Sequence, residues 1–237
     1  MTEMPPVVLL AGGLATRLRP LTEQMPKAML EVAGEPFIAH QLRLLRREGI
    51  TRVVVCAGYL AEQISAYVGD GSRFGLSVGY KIDGPRLLGT GGALRAALDQ
   101  LGREFLVIYG DSWLDIAYAP VVEAFRASGQ PALMTVFRNA GQWDTSNVWF
   151  ENGHIRRYSK RERLPQMQHI DWGLSMIKAD LLATRPANEP FDLAELYSDL
   201  SRTGRLAGYE VTTRFYEIGS SEGLRETDAV LRKAQSL

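Results

Sequence analysis

Short apolar runs and amphipathic stretches alternate along the chain. Val7-Val8-Leu9-Leu10 is a wholly apolar run closed by Ala11-Gly12-Gly13. A β-branched run that ends in glycines predicts a buried strand opening into a loop. Residues 14–36 are polar, with prolines at 20, 26 and 36, and predict an extended loop. From 37 to 48 the period becomes helical: Ile38, Leu42 and Leu45 share one face, Arg43, Arg46 and Arg47 another, and Gly49 stops the helix. Residues 52–56 predict a second buried strand, Leu60, Ile64, Tyr67 and Val68 a second helix, and the alternating Leu76, Val78 and Tyr80 a third strand. A helix over 90–101, a strong strand over 105–109 running into Gly110-Asp111, a helix over 119–127 and a strand over 133–137 follow. This order predicts parallel pairing with crossover helices on both faces.

After Arg138 the pattern changes. Residues 147–150 and 154–158 flank Asn152-Gly153, which predicts a hairpin closed by a type I′ turn. Short strands are predicted over 174–177 and 215–218, and a helix over 192–202. No repeat or linker interrupts the chain. The expected fold is one α/β domain over 1–237, a Rossmann-like, mainly parallel mixed sheet flanked by helices. Its parallel core spans about 1–138 and an irregular lobe spans 139–237.

Composition narrows the classes. A chain of 237 residues, 46% hydrophobic and 23% charged, is long enough to close a core without staples and is neither disordered nor fibrous. Lys+Arg and Asp+Glu both number 27, so nucleic acid and anionic membranes, which favour a basic excess, are not expected partners. One cysteine excludes a disulfide framework and a Cys-based zinc site. The first apolar run is too short to span a bilayer and lacks a basic flank, so a cytoplasmic location is expected.

Five segments carry candidate chemistry. Leu10-Ala11-Gly12-Gly13-Leu14-Ala15-Thr16-Arg17 follows a predicted strand, and ligands of open α/β sheets sit at the carboxyl ends of strands. Adjacent glycines let backbone N–H groups approach a phosphate or base, Thr16 adds a hydroxyl, and Arg17 a forked cation. The pattern is neither a Walker loop nor the dinucleotide fingerprint. Lys27 follows Pro26, whose stiff backbone would position it as a point charge for phosphate. Leu88-Gly89-Thr90-Gly91-Gly92 opens a predicted helix, whose free N–H groups would favour anions or acceptor edges. Asp111 ends the strongest strand and offers hard oxygen to Mg²⁺; Glu217, in an aromatic-flanked short strand, offers a second carboxylate.

Together these runs, with Val32-Ala33-Gly34-Glu35-Pro36, Tyr158-Ser159-Lys160, Ile170-Asp171-Trp172-Gly173 and Tyr216-Glu217-Ile218-Gly219-Ser220, resemble the ordered motifs of sugar-1-phosphate nucleotidylyltransferases over nearly the whole chain. The resemblance implies a nucleotide-diphospho-sugar transferase (GT-A-like) fold, with a nucleotide-binding core to about 138 and a sugar-phosphate-binding lobe after it. It also implies a transferase of nucleotide-sugar and polysaccharide biosynthesis with Mg²⁺ as cofactor and an NTP and a sugar 1-phosphate as substrates. Carried over by position, Leu10, Ala11, Gly12, Gly13, Thr16 and Arg17 would hold the nucleotide, and Lys27 would neutralise the reacting phosphates. Gly89, Thr90 and Gly91 would lie near base and ribose, Asp111 and Glu217 would bind metal, and Asn147, Lys160, Asp171 and Gly173 would hold the sugar phosphate. Two departures stand out: Ala28 replaces a second proline common in the family, and Glu217 replaces a common Asp.

Short length, the Leu-Gly-Thr-Gly-Gly-Ala loop and the Tyr-Glu-Ile-Gly-Ser ending are most similar to the D-glycero-D-manno-heptose 1-phosphate guanylyltransferases. GTP and that heptose 1-phosphate are therefore the expected substrates, with Asp83 meeting the guanine N1–H and N2–H donors. The alternative is a uridylyltransferase acting on N-acetylmuramate 1-phosphate or a hexose 1-phosphate, which shares the look of residues 69–76. A non-catalytic nucleotide-sugar-binding regulatory subunit is the reading from another class. Trp143, Trp149 and Trp172 are open to stacking on a sugar or base and to packing in the core or a homodimer interface. His169 is the histidine expected nearest to substrate, and Cys56 is expected in the core.

Overall fold

The computed structural model describes residues 3–13, 16–84, 86–139, 141–143 and 145–235, and at Thr16 the backbone alone. Leu14, Ala15, the Thr16 hydroxyl and the Pro85 corner of the Asp83-Gly84-Pro85 turn therefore lie outside the described part. The chain forms two compact units. The first comprises Met1–Leu87, Ile108–Asp115 and Phe215–Leu237; the second comprises Leu88–Val107 and Ile116–Arg214. These boundaries differ from a division near 138, because the chain passes between units several times, once within the strand Glu104–Tyr109.

In the first unit the strands Val7–Ala11, Arg52–Ala57 and Ser77–Ile82 pair in parallel. Val7 lies opposite Val53 and Ala11 opposite Ala57, so their carboxyl ends share one edge of the sheet. Val7, Val8, Leu9, Val53 and Val55 are fully buried, as their unbroken apolar runs require of strands covered on both faces. The helix Phe37–Arg47 buries Ile38, Leu42 and Leu45, and Gly49 stops it at φ 82°. A two-residue ladder joins Ser112–Trp113 to Tyr216–Glu217.

In the second unit Ala132–Arg138 pairs antiparallel with His169–Lys178 and parallel with Leu206–Val211. Leu206–Val211 then pairs antiparallel with His154–Tyr158, which closes a hairpin with Val148–Glu151. Asn152 and Gly153 both have positive φ, 50° and 77°, as a type I′ turn demands. The α/β class with a mixed sheet flanked by helices is thus borne out. Parallel pairing is concentrated in the first unit, and the second unit's ladders are mostly antiparallel. Among the described residues no helix is long and apolar enough to cross a membrane.

Candidate active site

The first unit gathers four of the five candidate segments around one small core. Leu18, Leu30, Trp113 and Ile218 belong to a single buried cluster with Val32, Phe37 and Leu231. Leu18 follows Arg17, Leu30 closes the turn begun by Lys27, Trp113 lies two residues after Asp111, and Ile218 follows Glu217. Each polar candidate is therefore tethered by a buried apolar neighbour, so the cluster fixes their backbones while leaving the side chains at least partly exposed.

Lys27 opens the one-turn helix Lys27–Met29 behind Pro26, whose φ of −66° suits a helix start. Its Nζ donates to Asp111 Oδ2 at 2.8 Å, joining residues 84 apart in sequence. Asp111 is held from both sides. Its own carbonyl accepts from Ile218 N at 2.9 Å. The Gln41 amide, on a side chain only 3% exposed, donates to Tyr109 O at 3.0 Å and Ser112 O at 2.8 Å, the carbonyls bracketing the turn. Sequence reasoning missed Gln41, because a polar residue on a helix carries no sign of what it braces.

The ladder that pairs Glu217 with Ser112 brings the second carboxylate beside the first. Glu217 folds back on its own turn: one carboxylate oxygen accepts the Gly219 N–H and the other accepts from Ser220 Oγ at 3.1 Å. The glutamate's extra methylene lets it reach these donors at the entrance to the helix Ser221–Gln235. A Cβ at Gly219 would crowd Glu217 Oε2 and lie 3.6 Å from Asp111 Oδ2, so the two carboxylates border the same glycine. Among the described residues no group of three or more potential ligands forms. Two carboxylates with the remaining positions left to water and phosphate oxygens suit Mg²⁺, which dehydrates reluctantly. The residues present therefore fit the cation that the motifs imply.

At the end of Val7–Ala11, a Cβ on Gly12 would contact Gly58 N at 3.5 Å and Asp83 Oδ2 at 3.9 Å, whereas among the described residues nothing lies within 4 Å of one on Gly13. Asp83 is anchored by its N–H to Ala57 O at 2.9 Å. Gly58 was not singled out by the sequence, yet a Cβ there would meet Gly12 O at 3.2 Å and Asp83 Oδ2 at 3.6 Å. Arg17 is exposed. Cys56 is buried, and its burial, reinforced by the Asp83 charge, pushes the thiol up to about 12, so it is inert core.

The second unit holds two further networks. In the first, Thr90 Oγ1 donates to Asp192 Oδ1 at 2.9 Å and accepts from Leu193 N at 2.8 Å. Lys160 Nζ donates to Asp192 Oδ2 at 2.8 Å. Burial alone would raise the Asp192 carboxyl, but Lys160, the Ala194 N–H and the Thr90 hydroxyl outweigh it and hold it below the usual range. Asp192 was legible in the sequence only as a helix start; it is also the hub that joins Thr90 to Lys160.

The glycine-rich helix start needs a correction. Gly91 N donates to Phe191 O at 3.0 Å, and Gly92 N reaches the same carbonyl at 3.4 Å. These N–H groups are taken by the protein rather than left for an anion. A Cβ at Gly91 would stand 2.1 Å from the Phe191 ring, and one at Gly89, where φ is 70°, 2.7 Å from Phe191 O. Close packing against Phe191 already requires these glycines.

In the second network Asn147 Oδ1 accepts from Asp171 N at 3.1 Å, and Asp171 Oδ1 accepts from Gly173 N at 3.0 Å. Gly173 has φ 98° and sits where the pairing register shifts between Asp171 and Ser175, a bulge that re-aims the strand. Asp171 keeps some exposure but is largely surrounded by protein. Desolvation pushes its carboxyl up to about 6, against the Gly173 N–H and the Lys160 charge, which pull it down. His169 pairs with Glu210 at 3.0 Å and packs edge-on against Phe150. Trp172 is buried and donates to Thr213 O at 2.8 Å, which assigns it to the core.

Residues 6–146 match the family described as Nucleotidyl transferase. An N-acetylmuramate alpha-1-phosphate uridylyltransferase from Neisseria meningitidis serogroup B is 39% identical over 225 residues, 94% of this chain and 96% of that protein. A protein of the same name from Caulobacter vibrioides is 29% identical over 246 residues, 99% of this chain and 100% of that one. The crystal structure of HddC from Yersinia pseudotuberculosis superposes with a TM-score of 0.81 at 22% identity, covering 96% of this chain and 100% of that one, which bears on the fold alone. The matched family segment spans more than half of the chain and contains Gly12, Lys27, Gly89 and Asp111, and the Neisseria relative extends the likeness through Lys160, Asp171 and Glu217. The chain belongs to the nucleotidyl transferase family, as a sugar-1-phosphate nucleotidylyltransferase.

Proposed function

We propose that the chain transfers a uridylyl group from UTP to N-acetylmuramate 1-phosphate, releasing pyrophosphate. The observation that carries the substrate choice is 39% identity to a uridylyltransferase of that specificity over nearly the full length of both chains. It replaces GTP and a heptose 1-phosphate as the favoured pair. With uracil, Asp83 beside Gly12 and Gly58 would accept from the single N3–H donor rather than from the two donors of guanine.

An oxygen of the sugar 1-phosphate attacks the α-phosphorus of UTP, and the bond to the pyrophosphate oxygen breaks. The attacking phosphate is already ionised at neutral pH, so no side chain need act as general base. Both reactants are anions, and the protein's task is alignment and charge neutralisation. Asp111 and Glu217 would hold the divalent cation, which supplies positive charge to the triphosphate oxygens. Lys27, already directed at Asp111, would place an ammonium at the reacting phosphates. Gly12 and Gly13 would offer N–H groups and Arg17 a forked donor to the triphosphate. Lys160 would exchange its exposed pairing with Asp192 for the sugar phosphate, at little loss because exposed ion pairs are weak. Asn147, Asp171 and Gly173 would bind the sugar hydroxyls and amide.

Pyrophosphate release over a grid of UTP, GTP, CTP and dTTP against N-acetylmuramate, glucose, mannose and D-glycero-D-manno-heptose 1-phosphates tests this reading. A kcat/KM for UTP with N-acetylmuramate 1-phosphate at least tenfold above every other pair supports it. A GTP and heptose maximum would restore the guanylyl reading.

A further inference from the structure

The second unit contains an open, solvent-facing cavity of about 560 Å³ whose walls include Ser146, Leu164, Met167 and the exposed Trp143, Arg163 and Gln168. That volume is within the range of small-molecule sites. Two segments build it, and the fully buried Asn139 ties them together. Asn139 N donates to Gln168 O at 3.0 Å, its amide donates to Ser146 Oγ at 3.3 Å, and its Oδ1 accepts from Trp143 N at 2.9 Å. The walls lead directly to the sugar-phosphate candidates: Ser146 precedes Asn147, and Gln168 is followed by His169, whose carbonyl accepts from Asn147 N at 2.9 Å.

Arg163 gives the cavity its character. Its guanidinium donates to the carbonyls of Ser159 at 3.3 Å, Glu162 at 2.9 Å and Lys160 at 3.2 Å. These acceptors are neutral, and among the described residues no carboxylate is paired with it. The bonds fix the plane of the fork and use three of its five N–H donors, and their neutral oxygens leave its charge uncompensated among the described residues. Trp143, half exposed, carries the Arg214 guanidinium 3.7 Å from its ring centre and so stands as a held aromatic wall. Leu164 and Met167 add apolar surface, and Ser146 and Gln168 add hydroxyl and amide groups. A sugar bearing only hydroxyls would leave the cation unused.

We infer that this cavity receives the ring substituents of the sugar 1-phosphate and selects a sugar that carries a carboxylate, with Arg163 as the residue that pairs with it. The inference rests on the proposed uridylyl transfer and adds the residue that sets its sugar specificity. The test compares wild type, Arg163→Gln and Arg163→Lys with UTP and either N-acetylmuramate 1-phosphate or N-acetylglucosamine 1-phosphate, which lacks the acid. In Arg163→Gln, the ratio of kcat/KM for the acidic sugar to that for the neutral one is expected to fall about ten- to hundredfold, the size of a charge-assisted bond. The fall should lie chiefly in KM, and Arg163→Lys should recover part of it. Equal losses on both sugars would show that Arg163 only braces its loop, and no loss would show that the cavity is not used; either overturns this inference while leaving uridylyl transfer standing. A wild type active on the neutral sugar and silent on the acidic one would overturn both.

Discussion

Replacing Lys27 by Met separates a structural ion pair from a catalytic charge. The Lys27 and Asp111 side chains are 21% and 31% exposed and 2.8 Å apart. A pair this open to water is worth up to about 1 kcal/mol, and methionine keeps most of the aliphatic stem packed. The unfolding free energy should therefore fall by no more than about 1–2 kcal/mol. If the ammonium stabilises charge developing on the phosphates, its loss removes one preorganised group, which typically lowers kcat by roughly 10²–10³-fold, or about 2.7–4 kcal/mol. The activation barrier should thus suffer more than the fold. Urea unfolding gives the first quantity, and pyrophosphate release at saturating Mg²⁺ and UTP the second. A kcat within threefold of wild type would refute the reasoning. So would a stability loss of about 4 kcal/mol or more, which would make the pair a buried structural bridge.

Other consequences follow from the geometry. Gly89→Ala should destabilise the protein by about 1–3 kcal/mol, because alanine is strained at φ 70° and its Cβ would press on the Phe191 carbonyl, while Gly13→Ala, which meets nothing within 4 Å among the described residues, should leave urea stability unchanged and weaken nucleotide binding. The Asp171 carboxyl, raised to about 6 in the folded chain, contributes stability that is complete below its unfolded value near 4 and is lost as pH rises through about 6. Asp192, held low by Lys160, works in the opposite sense and weakens the fold as pH falls. Asp171→Asn should therefore gain on wild type as pH goes from 4 to 7, measured by urea midpoints; a constant difference across that range would contradict the assignment.

The order of strands and helices up to 138 was legible because each element carries its own period, and glycines mark the strand ends where ligands approach. Later elements hid for physical reasons. Leu206–Val211 has Gly208 at its centre, which weakens a strand signal, yet a Cβ there would lie 2.6 Å from the Phe150 ring. The helix Ser221–Gln235 buries Gly223, Thr227 and Leu231, a face with the right spacing and too little hydrophobicity to register. The strand expected over 174–177 runs as His169–Lys178, because polar Asp171 and bulged Gly173 mask its first half. Asp111 and Lys27 were legible one at a time as a strand-end acid and a proline-positioned cation. Their pairing, the Gln41 brace and the Phe191 cover over the glycines are tertiary facts between distant segments, and no local pattern encodes them.

The most direct test of the central claim is single-turnover transfer from [α-³²P]UTP to N-acetylmuramate 1-phosphate by wild type and Asp111→Asn with Mg²⁺. The account predicts that wild type carries the label into the nucleotide sugar, and that the variant, with its fold intact, is slower by roughly 10²-fold or more. Transfer by Asp111→Asn at the wild-type rate would contradict it.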